Sequence, residues 1–386
     1  MRASRFISER LNFRGRITVA ATAVSFFVII LSLMVLGGFK LEIRRGISSL
    51  MGDVQMTASS LSYYGEGEPI SADASYLPRL RQCKGVEELT PAIYRTAVVK
   101  NGSEIEGVLI KALPSADSSL TVAIPSTLAD KLGLKEGDRM LTYFIGDRVK
   151  IRNFTVREIY RDLLRADDKM LVFANLGDLQ RVNGWDSTMV SALEIKLSDY
   201  YRSNDREKTK AAELSTLTGI YASEGEAPLV ATAASQRFSR LFDWLNLLDF
   251  NVLAILLLMI LVAGFNMVSG LLIMLFRHTG TIGTLKALGM DNRRIAMVFL
   301  RVASGVVLKG MAIGGGAALL FALVQSATHF LRLNPENYFV SFVPVAVNLP
   351  QILLVCAIAY GAIMLLLLLP SIFISRVDPS ETVRVK

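Results

Sequence analysis

Four stretches of the chain are long, apolar and almost free of charge: Ile17 to Phe39, Leu247 to Phe276, about Ser304 to Gln325, and Leu349 to Phe373. At about 1.5 Å of rise per helical residue, each can cross a hydrocarbon layer of roughly 30 Å. The first is longer than the roughly 7–15 apolar residues of a cleaved signal peptide, so it is expected to stay as an anchor. In the second, Asn266 and Ser269 are costly in hydrocarbon and are expected to face other helices or a cavity. In the third, Gly314-Gly315-Gly316 allows close helix approach. Arg301 falls at an interface there, and Lys309 either snorkels or lines a crevice.

Between the first two runs the pattern changes to short alternating stretches. Leu41 to Leu50 continues the first helix. Val54 and Met56 alternate with polar neighbours, as do Leu193, Ile195 and Leu197, which read as the final strand. Tyr94 to Lys100 and Glu104 to Ala112 flank Asn101-Gly102, a strong hairpin signal. Met140 to Phe144 and Val149 to Tyr160 form a second hairpin across Gly146-Asp147, and Met170 to Phe173 reads as a buried strand. Tyr63 to Pro69 is a loop. Short helices are predicted within Ile124 to Asp138, ending near Gly133, and at Leu176 to Asn183, with a longer charged one at Asn204 to Thr218. The whole reads as an α+β domain with its own core.

A hydrophobic content of 52% and a mean hydropathy of +0.43 suit a membrane protein with a sizeable aqueous domain. Much of the formal net charge of +8 sits beside the runs: Arg2, Arg5, Arg10, Arg14 and Arg16 before the first, Arg277, Lys286, Arg293 and Arg294 between the second and third, and Arg376, Arg384 and Lys386 after the last. The positive-inside rule then places both termini and the middle loop in the cytoplasm, against anionic lipid headgroups, with no call for nucleic acid. Phe6, Leu11 and Phe13 can lie on the bilayer surface among the first arginines. The predicted layout is a cytoplasmic elbow helix at 1–16, spans at 17–39, 247–276, 301–327 and 349–373, and an exported domain at 40–246. A cytoplasmic segment at 277–300, an outer loop at 328–348 and a cytoplasmic tail at 374–386 complete it.

Cys83 lies in the exported domain and Cys356 in a span, so no disulfide is expected. Cys83 is expected to be a small buried residue rather than a nucleophile, and Asp167-Asp168 a solvated loop. The two histidines, His278 and His329, both flank spans, which leaves the exported domain without any. That disfavours histidine-dependent catalysis or a zinc site there. No phosphate-binding G-x-x-x-x-G-K-[ST], G-x-S-x-G or H-E-x-x-H occurs, so no catalytic residue, metal or bound cofactor is expected.

The segment from Arg277 to Ile295 is too polar to cross a bilayer and too short to be a domain. As a short amphipathic helix it can present Ile282, Leu285 and Leu288 to a cytoplasmic partner. Asn266 to Gly270, then Ile282 to Met290, then Arg293-Arg294-Ile295 resemble the coupling-helix region of FtsX-like/MacB-like permeases of ABC transporters. Within that superfamily the chain is most similar to the LolC/LolE lipoprotein-releasing permeases. Leu36 to Phe39, Gly52 to Thr57, Gly107 to Leu113, Ile124 to Asp138, Asn337 to Val345 and Arg376 to Arg384 carry the same likeness. Gly280 and Thr281 depart from it, standing where the family usually has Arg and Glu.

The resemblance implies a membrane protein of the type VII ABC permease kind: one span, a large extracytoplasmic α+β domain of MacB-like core, then three spans. It implies a permease in the bacterial inner membrane that extracts lipoproteins from the outer leaflet. A separate LolD-like ATPase subunit would use ATP and Mg and grip Thr281, Ile282, Gly283, Leu285, Lys286, Ala287, Leu288 and Gly289. Val28, Leu31, Val35 and Phe39 of the first span, with Leu248, Val252 and Ile255 of the second, would line an acyl-chain cavity shared with a second permease subunit, identical or paralogous. Each CH2 taken from water there would contribute about 0.8 kcal/mol. In LolC-type subunits an extended hook between the strands of the second hairpin docks a periplasmic chaperone. Gly146-Asp147 leaves almost no room for one. A LolE-like role, another docking surface, or no chaperone at all remain open. Two other readings of the superfamily are an FtsX-like transmitter acting on a cell-wall hydrolase and a MacB-like exporter of peptides or drugs.

Overall fold

A computed structural model describes residues 16–58, 68–114, 119–146, 148–160, 170–334 and 340–371. The elbow helix at 1–16 falls outside these residues except for Arg16, and most of the Tyr63–Pro69 loop, Asp167-Asp168 and the tail at 374–386 lie outside them altogether. The described residues divide into two compact units, one within 16–42, 245–334 and 340–371 and the other within 43–244.

The first unit is helical. It takes residues 16–42 of α1 (Arg16–Met51), and from residue 245 onward α7 (Ser239–Arg277), α8 (Thr279–Ala287), α9 (Asn292–Thr328), α10 (Leu349–Leu366) and α11 (Leu368–Ser371). α1, α7, α9 and the α10–α11 stretch Leu349–Pro370 are each long and apolar enough to cross a membrane. Glycines set how closely they pack. A Cβ on Gly310 would press on Thr22, and one on Gly314 would overlap the Ala23 carbonyl and lie 2.9 Å from Phe27 N. Gly315 meets only the tip of Ile30, and Gly316 faces open space. Of the predicted glycine triplet, then, Gly314 makes the close crossing, and Gly310 one turn before it shares the contact. Phe27 meets Phe321 edge-on at 6.3 Å, and Ser304 Oγ lies 2.8 Å from Tyr360 Oη. The core gathers Phe26, Ile29, Met34, Ala263, Met267, Phe299, Val307, Ala318, Ala359 and Ile363.

The second unit is the α+β domain. Its strands are β1 (Val54–Thr57), β2 (Ile70–Ser71), β3 (Val86–Asn101), β4 (Glu104–Leu113), β5 (Thr121–Pro125), β6 (Arg139–Phe144), β7 (Lys150–Tyr160), β8 (Met170–Asn175), β9 (Met189–Val190), β10 (Ala192–Leu197) and β11 (Val230–Ala233). Its helices are α2 (Leu77–Gln82), α3 (Ser126–Leu132), α4 (Leu176–Asn183), α5 (Asn204–Tyr221) and α6 (Ala234–Arg237). The main sheet runs β11-β1-β10-β3-β4-β8-β5-β7-β6, and β6 pairs back onto β3 through Val98↔Tyr143 to Lys100↔Leu141. Six strands therefore close into a barrel around Val99, Ile110, Val122, Phe144, Phe154 and Val172.

Both predicted hairpins form, and Gly133 ends α3 in the left-handed region at φ +63°, where a side chain would be strained. Leu193 to Leu197 is a strand but not the last one. β11 follows it and pairs with β1; Val230 to Ala233 is too short to stand out by alternation.

Candidate functional site

α8 is a helix of two and a half turns, fixed at both ends by local chemistry. Thr284 Oγ1 returns to the Gly280 carbonyl at 2.9 Å, and Thr279 Oγ1 to Phe276 O at 3.2 Å. Gly289 stops the helix at φ +80°, donating to Lys286 O, while Met290 N donates to Leu285 O. The chain then turns directly into α9, so the polar segment is one short helix followed by the first turns of the third span.

The packing of α8 corrects the expected face. Ile282 is 1% exposed and Gly283 is buried, and both belong to the bundle interior. Leu285 is half-buried against the core, as is Met290. Leu288 is 79% exposed. Steps of three residues carry these three side chains around the helix rather than along one line. The face open to a partner consists of Gly280, Thr281, Thr284, Ala287, Leu288 and Gly289, with Lys286 half-buried at its edge. The two positions where the chain departs from the familiar Arg-Glu pair lie on that open face.

The expected cavity residues sit on the surfaces of α1 and α7. Val28, Leu31, Val35 and Phe39 are half-exposed, in line with Val24 and Ile17, which are more exposed still. Leu248 and Val252 are half-buried and Ile255 is exposed. Leu31 and Val252 touch the same core. The two helices are antiparallel neighbours: a Cβ on Gly270 would lie 3.0 Å from Thr18 Cγ2, and Lys40 Nζ meets Asp249 Oδ2 at 2.5 Å. This register sets Phe39 and Val35 at the level of Leu248 to Ile255, with Val28 and Leu31 further along α1. Asn266 is half-buried and Ser269 exposed on the bundle surface, as are Arg301 and Lys309.

Two features of this unit escaped sequence reading. The Lys40–Asp249 pair could have been found as the charges at the matching ends of two apolar runs. The other is Gly38, whose missing side chain lets Pro344 and Val345 cross directly over α1. Ala346 N donates to Met34 O at 2.9 Å at that crossing.

The second unit carries buried charge that serves its own fold. Lys111, 2% exposed, donates to Glu194 at 2.7 Å and to the Leu50 carbonyl at 2.5 Å; Tyr94 Oη also donates to Glu194. Burial pushes the Lys111 ammonium below the usual lysine range, and Glu194 opposes that shift. Arg237 donates to Gln55 Oε1 and to the Met51 carbonyl at 3.0 Å. Two cations thus satisfy the last carbonyls of α1. Glu207, 3% exposed, accepts from Ser235 N at 3.4 Å, and burial pushes its carboxyl up to about 7. Cys83 is half-exposed rather than buried, because α2 ends at it against α5; Lys210 Nζ donates to its sulfur at 3.1 Å. Among the described residues no three His, Cys, Asp or Glu side chains gather as a metal site.

Residues 253–379 match the FtsX-like permease C-terminal family, which covers α8 and all of α9 to α11. This segment is an FtsX-like permease domain. Similarity to curated relatives runs over nearly the whole chain. The lipoprotein-releasing system transmembrane protein LolC of Xylella fastidiosa (strain 9a5c) is 22% identical, over 97% of this chain and 94% of its own. The corresponding LolE of Haemophilus influenzae is 22% identical, over 95% and 93%. Among solved structures, the periplasmic region of MacB from Actinobacillus actinomycetemcomitans aligns with 52% of this chain and 98% of its own, at 12% identity and a TM-score of 0.32. The chain thus joins an FtsX-like permease segment to similarity with LolC and LolE over nearly its whole length, on four apolar helices and an intervening α+β domain.

Proposed function

We propose that the chain is the membrane subunit of an ABC transporter that releases lipoproteins from the inner membrane for transfer to the outer membrane. The observation that carries this reading is similarity to LolC and LolE extending through both the spans and the α+β domain, rather than through the permease segment alone. The mechanism is mechanical. A separate cytoplasmic ATPase binds the open face of α8 around Thr281, Thr284 and Leu288, and uses ATP with Mg. Closure of the ATPase pair pushes on α8, whose Ile282 and Leu285 are set into the bundle core and so pass the push to the spans. Acyl chains of the cargo lie against the α1 stripe and the start of α7, between this chain and a second permease subunit. The α+β domain stands in the periplasm and both termini lie in the cytoplasm.

The test is depletion of the protein followed by membrane fractionation. Accumulation of outer-membrane lipoproteins in the inner membrane is the expected result. An unchanged lipoprotein distribution alongside altered division or envelope stress would sink the release reading and favour an FtsX-like or MacB-like role.

A further inference from the structure

A cleft of about 520 Å3 opens in the helical unit between α1 and the segment that enters α10. Leu33, Met34, Gly37 and Leu41 form one wall, and residues from Ala346 to Ile352 the other. Its shape is fixed by backbone, through the Gly38 crossing and the Ala346-to-Met34 hydrogen bond. The floor is buried Met34 and Leu33, while Leu41, Val347 and Leu349 stand exposed at its lips.

The chemistry of the lining names the occupant. No ionisable side chain lines the cleft. Its polar side chains are the carboxamides of Asn348 and Gln351; Asn348 Oδ1 accepts from Gln351 N at 3.3 Å, which leaves amide hydrogens for an ester carbonyl. The position along the spans is set by charge. α1 carries no Asp, Glu, Lys, Arg or His from Ile17 to Phe39, and neither do residues 340–371. Lys40, in the same turn as Leu41, marks where α1 leaves the hydrocarbon. Leu33 to Leu41 rise about 12 Å along the helix, close to the depth of one leaflet's hydrocarbon. The cleft therefore opens at the outer margin of the hydrocarbon, with its Leu33 end toward acyl chains and its Leu41 end toward the headgroups. It also lies on roughly the opposite side of α1 from Val28, Leu31, Val35 and Phe39, since residues 33, 37 and 41 fall half a helical turn from that stripe.

We infer that this cleft holds one acyl chain of a resident phospholipid, with the ester region at the Asn348 and Gln351 rim. The site is separate from the surface assigned to cargo. The bound chain completes the packing of α1 against the α10 entry.

The full-length protein, reconstituted in vesicles of phosphatidylethanolamine and phosphatidylglycerol doped with a phospholipid bearing a diazirine on one acyl chain, is irradiated and its labelled peptides mapped. Label is expected to concentrate in residues 33–41 and 346–352. Gly37→Leu, which fills the cleft, should lower that label about tenfold while label on α7 stays constant. Val347→Trp fills it from the lip and serves if the first variant inserts poorly. Label spread evenly over the spans, or unchanged in both variants, overturns the proposal. Displacement of the label by an acylated lipoprotein also overturns it, by making the cleft a cargo site. Accumulation of lipoproteins on depletion is a separate readout, so failure of either reading leaves the other standing.

Discussion

Lys40 Nζ and Asp249 Oδ2 meet at 2.5 Å, joining the charge that ends the apolar run of α1 to the one that begins the charge-free run of α7. The side chains are 33% and 43% exposed, so the pair contributes at most about 1 kcal/mol if solvated. Its larger role is to hold two neighbouring spans in one register. Asp249→Lys should lower the thermal unfolding temperature of the detergent-solubilised protein, and the exchanged pair Lys40→Asp with Asp249→Lys should recover most of the loss. Equal loss in the single and exchanged variants would show that the two charges do not interact.

The opposed exposures of Leu288 and Ile282 separate binding from folding. Leu288→Glu alters only the open face of α8, and co-purification of the ATPase should fall at least about tenfold while membrane insertion and unfolding temperature stay unchanged. Ile282→Glu buries a charge in the bundle and should reduce the amount of folded protein before any binding assay.

Close approach at Gly314 leads to a graded series. Gly314→Val drives a side chain into the Ala23 backbone and should destabilise the bundle by about 1–3 kcal/mol, measured as loss of unfolding temperature. Gly316→Val, two residues away and facing open space, should be close to neutral.

Glu207 makes stability of the α+β unit depend on pH. Burial raises its folded-state pKa from 4.5 to about 7, so the folded state binds the proton more tightly than the unfolded chain does. This contribution is fully present below about pH 4.5, falls as pH rises, and is gone above about pH 7. The shift corresponds to roughly 3 kcal/mol. Glu207→Gln should flatten the pH dependence of thermal unfolding between pH 5 and pH 8 and raise stability at the alkaline end. An unchanged pH profile would exclude Glu207 as its source.

Lys111 and Glu194 are stable only as a pair. Lys111→Met leaves a carboxylate buried and should cost about 3–5 kcal/mol, whereas Lys111→Met with Glu194→Leu should recover much of it. The readout is chemical unfolding followed by tryptophan fluorescence.

Much of this architecture was legible because its signals are local. A charge-free run of twenty residues has few alternatives, and Asn101-Gly102 or Gly133 dictate backbone turns by their own conformational preferences. The short helix between the second and third apolar runs was legible in position, but not in facing. Which of Ile282, Leu285 and Leu288 points inward depends on how α8 lies on the bundle, which its own periodicity cannot fix. β11 and the β3–β6 pairing were illegible for a related reason. Strand partners far apart in sequence are chosen by the closed sheet, and Val230 to Ala233 has too few residues to carry a pattern. Neither Gly38 nor Asp249 shows its role in the residues next to it. Their meaning came from Pro344 and Lys40, brought to them by the fold.

Closure of β6 onto β3 also limits what the sheet can bind through its backbone. A strand with an open side offers a row of unsatisfied amides and carbonyls to any extended chain that passes. The six barrel strands have spent that capacity on one another, and the sheet's terminal strand, β11, is only four residues long. The main sheet therefore offers no long open edge to a passing extended chain, and its contacts with other polypeptides are left to side chains.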